Sequence, residues 1–121
     1  MAMQEKTRVI LRRAESYDPA VIAEIIRQGI DELGLTPRIR GRITIKPNVV
    51  MAHHKVAPSA YTRPEFLDGL LTAIEGASGS RTRVTVAEKC GAAVPTTRMF
   101  RRAGYYKLKR KHRFKLLAIE E

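Results

Sequence analysis

Short β-branched runs and amphipathic helical stretches take turns along this chain, and few architectures accommodate that order. Thr7 to Arg13 reads as a first strand, with Val9 and Leu11 on one face and Ile10 on the other. Asp18-Pro19 reads as a helix start, since the carboxylate caps free N–H groups and proline suits the first turn. Ile22, Ile25, Ile26, Ile30 and Leu33 then form one stripe, and Gly34 is a natural stop. Arg42 to Lys46 predicts a second strand, broken at Pro47-Asn48, with a long connection from Val49 to Ala60. Thr62-Arg63-Pro64-Glu65 has the spacing of a capping box, followed by an apolar face of Phe66, Leu67, Leu70, Leu71 and Ile74. Gly76 to Ser80 predicts a flexible turn, and Thr82 to Ala87 a third strand. A third helix is expected from Thr96 or Thr97, pausing at Gly104, with further helical turn over Tyr105 to Lys111 and a fourth strand over Phe114 to Ile119.

The order β-α-β-α-β-α-β predicts an α/β fold, a three-layer Rossmann-like sandwich around a mostly parallel sheet of about four strands with both faces covered. The 121 residues suit a single α/β domain spanning 1–121. No apolar run approaches the roughly 20 residues of a membrane span, and MAMQEKTRVI has no leader-like apolar stretch, so no membrane partner and a cytoplasmic location are expected. One cysteine excludes an internal disulfide framework and any all-cysteine metal or iron–sulfur site within one copy.

The net charge is +11, and it is lopsided. Residues 1–80 carry 11 basic and 9 acidic side chains, whereas residues 81–121 carry 12 and 3. Arg98, Arg101, Arg102, Lys107, Lys109, Arg110, Lys111, Arg113 and Lys115 form a stretch that no acid interrupts. Such a block attracts nucleic acid, another anionic partner or an acidic segment, or else serves as a solvated face. Tyr105-Tyr106 inside it would stack on bases or pack against the sheet.

In a parallel sheet, ligands collect beyond the carboxyl ends of the strands. The loops leaving strands two and three hold Lys46, Asn48, Glu88, Lys89 and Cys90, which would share one crevice if the strands are neighbours. Lysine brings a cation with three donors, asparagine a donor and an acceptor, glutamate a base or metal ligand. Together they suit an anionic or carbonyl-bearing small molecule, with Lys46 and Glu88 as the catalytic candidates. Plainer roles compete: Pro47-Asn48 as a turn, Glu88 as a surface partner of Lys46 or Arg42, Cys90 as a packed residue, and Thr62 as a helix cap with a lesser claim to a ligand. His53 and His54 are adjacent, so an extended segment would point them to opposite sides, and no metal site is expected. The sequence has no G-x-G-x-x-G after its first strand, no Walker loop, no G-x-S-x-G elbow and no C-x-x-C.

Four segments in order resemble an uncharacterised family, domain of unknown function 362. They are Ile45-Lys46-Pro47-Asn48-Val49-Val50, Thr62-Arg63-Pro64-Glu65, Ala87-Glu88-Lys89-Cys90-Gly91 and Phe100-Arg101-Arg102-Ala103-Gly104-Tyr105-Tyr106. Members of that family are longer, and many are joined to ferredoxin-like iron–sulfur modules. The resemblance therefore implies the N-terminal portion of a larger, redox-linked protein. This chain departs from the family in having no cysteine cluster, so no cofactor is expected in it, with any iron–sulfur cluster in a missing or separate module. Expected partners are a small anionic ligand or the missing C-terminal segment. Two other readings stand beside ligand binding: a nucleic-acid-binding module using residues 98–115, and an assembly domain, such as a homodimer paired through a free sheet edge.

Overall fold

A computed structural model describes residues 6–91 and 93–120; the first five residues, part of the segment read above for a leader, lie outside it. The chain is an α/β protein. Helix α1 (Pro19–Glu32) is followed by strand β1 (Gly41–Ile45), helix α2 (Pro64–Ser78), strand β2 (Thr82–Glu88), helices α3 (Thr96–Arg102) and α4 (Tyr105–Leu108), and strand β3 (Phe114–Ala118). The sheet is parallel throughout, in the order β1-β2-β3, with Ile43 opposite Val84 and Val84 opposite Phe114. The alternation of elements read from the sequence is thus realised, with three strands where about four were expected.

The strand expected over Thr7–Arg13 does not form. That segment is irregular, and Val9 and Leu11 are 84% and 89% exposed. Its arginines have other partners. The Arg8 guanidinium donates to the Glu32 carbonyl at the end of α1, and Arg12 pairs with the Glu32 carboxylate at 2.5 Å. Cations at a helix C-terminus are favoured by the backbone dipole, and here they hold the segment to α1 rather than to the edge of β1.

Helix α1 begins as the sequence predicts, with the Asp18 carboxylate accepting from Ala20 N at 2.9 Å. The expected capping box at α2 is absent. Arg63 is the N-cap residue and makes no side-chain capping bond, while Glu65 pairs with the Arg63 guanidinium at 3.3 Å. Thr62 instead ties down the preceding loop, as described below. Helix α2 also runs through the predicted Gly76–Ser80 turn as far as Ser78, and the chain reverses at Gly79 with φ +60°. The Ser78 hydroxyl donates to the Ile74 carbonyl, closing that last turn.

Leu67, Leu71 and Ile74 of α2, Met99 and Phe100 of α3, and Tyr105 and Leu108 of α4 share one core with Val84, Val86 and Phe114 of the sheet. Phe66, predicted to join them, is 41% exposed. The opposite sheet face, expected to be covered, is covered only in part: Ala87 is buried and Thr85 half-buried, but Arg42, Thr44, Arg83, Lys115 and Leu117 are exposed. Parallel sheets covered on both faces carry near-continuous aliphatic strands, whereas here Arg42, Arg83 and Lys115 stand on the face away from the core.

Helix α1 packs on α2 through a glycine. A Cβ added at Gly69 would lie 2.6 Å from Ile22 Cγ2 and 2.9 Å from the Pro19 carbonyl oxygen. Alanine has the better helix propensity, but here it forces the two helices apart. Gly69→Ala is expected to lower stability by about 1–2 kcal/mol in urea unfolding. Unchanged stability would mean that α1 does not sit on α2 in this way.

Candidate functional site

Because β1 and β2 are parallel neighbours, the loops leaving their carboxyl ends meet. Glu88 closes β2 with its side chain only 6% exposed, whereas the Lys46 side chain just beyond β1 is 70% exposed. The Lys46 ammonium lies 3.0 Å from Glu88 Oε1 and 3.1 Å from Oε2, so it bridges both oxygens. Glu88 Oε1 also accepts from Lys89 N at 2.8 Å, and Oε2 from Val49 N at 3.4 Å. The backbone carbonyl of Glu88 accepts from Ile119 N, which brings the end of β3 to the same place.

A buried carboxylate needs such donors, because desolvation without them is costly. With every oxygen engaged, Glu88 is equipped to hold the two loops and to orient Lys46. The ammonium has three donors, and with the side chain 70% exposed it is not fully engaged by Glu88 and stays open to solvent. This is the pairing with Lys46 that the sequence allowed, made with a buried partner rather than at the surface.

Thr62 stands on the other wall of the loop. Its hydroxyl accepts from Asn48 N at 3.1 Å, its own N–H donates to the Asn48 carbonyl at 2.7 Å, and its carbonyl accepts from the Tyr105 hydroxyl at 2.6 Å. Val49 and Tyr61 form an antiparallel bridge beside these bonds. The Asn48 backbone is therefore fixed, and the residue is exposed. Lys89 is exposed on the far lip. Tyr105 is buried in this arrangement, and burial pushes its hydroxyl above the usual tyrosine range. It packs on Phe100 at 5.8 Å between ring centroids, whereas Tyr106 is exposed with Arg101 over its ring.

Cys90 packs in the core. Its side chain is buried among apolar residues, its N–H donates to Thr96 Oγ1 at 2.9 Å, and burial with nearby Glu88 and Glu120 raises its thiol above the ordinary value. A raised thiol is a poor nucleophile at neutral pH. One buried cysteine also does not supply the thiolate set that an iron–sulfur cluster requires, so the chain's own residues do not fit that group.

His53 and His54 do not point apart as expected. The segment is a turn closed by Ala57 N to the His53 carbonyl, and the two rings stack 5.7 Å apart. His53 Nδ1 accepts from Lys55 N and Val56 N, which assigns that nitrogen to the turn.

The sequence reading missed a second polar cluster. His112, with its side chain 4% exposed, faces Asp68 through Nε2 and Glu75 through Nδ1, both at 2.7 Å, and Lys111 meets Asp68 at 2.8 Å. Each ring nitrogen of His112 thus faces a carboxylate of α2. Asp68 sits next to Leu67 and one turn before Leu71 on α2, and an acid on that apolar stripe was the available signal.

The basic stretch is exposed, as Arg98, Arg101, Arg102, Lys107, Lys109, Arg110, Lys111, Arg113 and Lys115 all are, but it spans several surfaces. Arg98 to Arg102 lie on α3, Lys107 on α4, and Lys115 on the sheet face away from the core.

A family model described as "Domain of unknown function (DUF362)" matches residues 43–121. The chain belongs to that family. The match takes in the sheet from Ile43 onward, α2, α3, α4 and all of the strand-end residues, and leaves α1 and the first two residues of β1 outside. The DUF362 assignment agrees with the four segments that carry the resemblance, and its name ascribes no activity. No curated protein and no solved structure matched. Among the described residues, no helix is long and apolar enough to cross a membrane.

Proposed function

We propose that this DUF362 chain is the ligand-binding α/β portion of a larger, redox-linked cytoplasmic enzyme, and that it takes an anionic or carbonyl-bearing small molecule at the carboxyl ends of β1 and β2. One observation carries the reading: a solvent-facing Lys46 ammonium is tethered to the buried Glu88 carboxylate at 3.0 Å. An ammonium held by a buried partner has lost part of its rotamer freedom before a ligand arrives, which lowers the cost of binding. Lys46 would donate to the ligand oxygen, the Asn48 amide would supply a donor and an acceptor, and Lys89 would add charge at the lip. Glu88 orients Lys46, and Thr62 fixes the Asn48 backbone. Any iron–sulfur module of the larger protein would be a separate body docked to this one.

Pyruvate, which has both a carboxylate and a carbonyl, is a suitable probe. Calorimetric titration should give saturable binding that Lys46→Ala weakens by more than about tenfold, as expected for loss of a charge-assisted hydrogen bond, with the circular dichroism spectrum unchanged. Binding unaffected by Lys46→Ala would reject the site.

The exposure of every arginine and lysine from Arg98 to Lys115 favours nucleic acid as a second reading. It requires oligonucleotide affinity that falls steeply with salt and is lost when Arg101, Arg102, Lys109 and Lys111 are neutralised. Among the described residues β1 and β3 each have a strand on one side only, which suits assembly by edge pairing. Sedimentation over a range of concentrations distinguishes a homodimer from a monomer.

A further inference from the structure

The chain reverses at Gly104, whose φ of +83° is a conformation that favours glycine. The reversal lets α3 and α4 face the start of α2 across a cleft of about 550 Å³, within the usual range for small-molecule sites. Tyr61, Arg63, Pro64, Arg102, Gly104 and Lys107 line it. Two acids also reach it, Glu65 and Asp68, and both are already neutralised. Glu65 pairs with Arg63, and Asp68 with Lys111 and His112. Arg102 and Lys107 are exposed, and no hydrogen bond or ion pair of either side chain is found among the described residues. Two cations without acidic partners therefore dominate the field of a concave site whose own acids are cancelled.

We infer that this cleft binds the phosphoryl group of a small organic phosphate, with Arg102 and Lys107 as its ligands. Arg102 offers a planar fork of N–H donors that matches two phosphate oxygens, and Lys107 a point charge for the third. Arg63, held in place by Glu65 at 3.3 Å and lying 4.1 Å over the Tyr17 ring, brings a third cation to the rim. A concave site favours a compact anion over a polymer, which would need the cations set along a stripe. The cleft is built from different residues than the Lys46 site, and the inference does not depend on that site binding anything.

Inorganic phosphate, titrated into the full ¹⁵N-labelled chain and followed by amide shifts, is the test. The expected result is saturable shifts confined to Tyr61–Glu65 and Gly104–Leu108. Arg102→Ala and Lys107→Ala, both exposed and without structural partners, should each weaken binding by about tenfold or more, and Lys46→Ala should leave it unchanged. A phosphate monoester should then shift the same amides at lower concentration. Shifts that fail to saturate, that spread evenly over the basic surface, or that survive the double variant would overturn the inference. Shifts found only at residues 46–49 and 88–89, and lost in Lys46→Ala, would also overturn it, while leaving the strand-end site standing.

Discussion

Glu88→Ala should lose about 3 kcal/mol of stability, because a buried carboxylate disappears from beneath the donors it gathers. Lys89 N and Val49 N lose their acceptor, Lys46 loses its tether, and a void opens beside the core at the end of β2. Glu88→Gln keeps the volume and one acceptor oxygen, so it should lose roughly half as much. Urea titrations of the three proteins measure this, with an unchanged m-value showing that the unfolded state is not the source. If Glu88→Ala unfolds at the same urea concentration as the native chain, the carboxylate does not organise the strand ends. The local pieces were legible in the sequence: strands two and three, a lysine leaving one and a glutamate closing the other. Their meeting was legible only as a condition, because it depends on β1 and β2 being neighbours in parallel register.

The second large effect is expected at His112. Replacing it by alanine leaves the buried Asp68 carboxylate with Lys111 alone and deprives Glu75 of its partner. Removing one member of a buried charged cluster typically costs about 3–5 kcal/mol, and the exposed ends of Glu75 and Lys111 place His112→Ala near the lower end, about 3 kcal/mol. The pH dependence follows from Asp68. Burial alone would raise its carboxyl, but the hydrogen bonds from Lys111 and His112 prevail and hold it below the ordinary aspartate value. A lowered folded-state value means that the carboxylate stabilises the fold above the unfolded-state pKa, and that this stability is lost as the pH falls through the folded-state value. Acid unfolding below about pH 4 should therefore be shallower in Asp68→Asn than in the native chain. Identical acid limbs would mean that Asp68 is not coupled to the cluster.

Physical reasons separate what the sequence revealed from what it concealed. Helix α1, helix α2 and the three strands follow from periodicity and punctuation, which are local. The absent strand at Thr7–Arg13 has the right alternation, yet Arg8 and Arg12 reach the end of α1 and Val9 and Leu11 stay exposed. Thr62 and Glu65 have capping-box spacing, but each found a nonlocal or adjacent partner instead, Thr62 the Asn48 backbone and Glu65 the Arg63 guanidinium. The histidine cluster joins α2 to the turn before β3 across more than 40 residues, a pairing that no window along the chain contains. Cys90 reads as a site residue by position and as a core residue by contact.

Whether Glu88 positions Lys46 for a ligand is best measured by a double-mutant cycle on the pyruvate dissociation constant. Lys46→Ala should weaken binding by more than about tenfold, and Glu88→Gln by a smaller factor. The double variant should bind no worse than Lys46→Ala alone, because Glu88 acts through the lysine it holds. Losses that simply multiply, or a Glu88→Gln protein that binds like the native chain, would contradict the account.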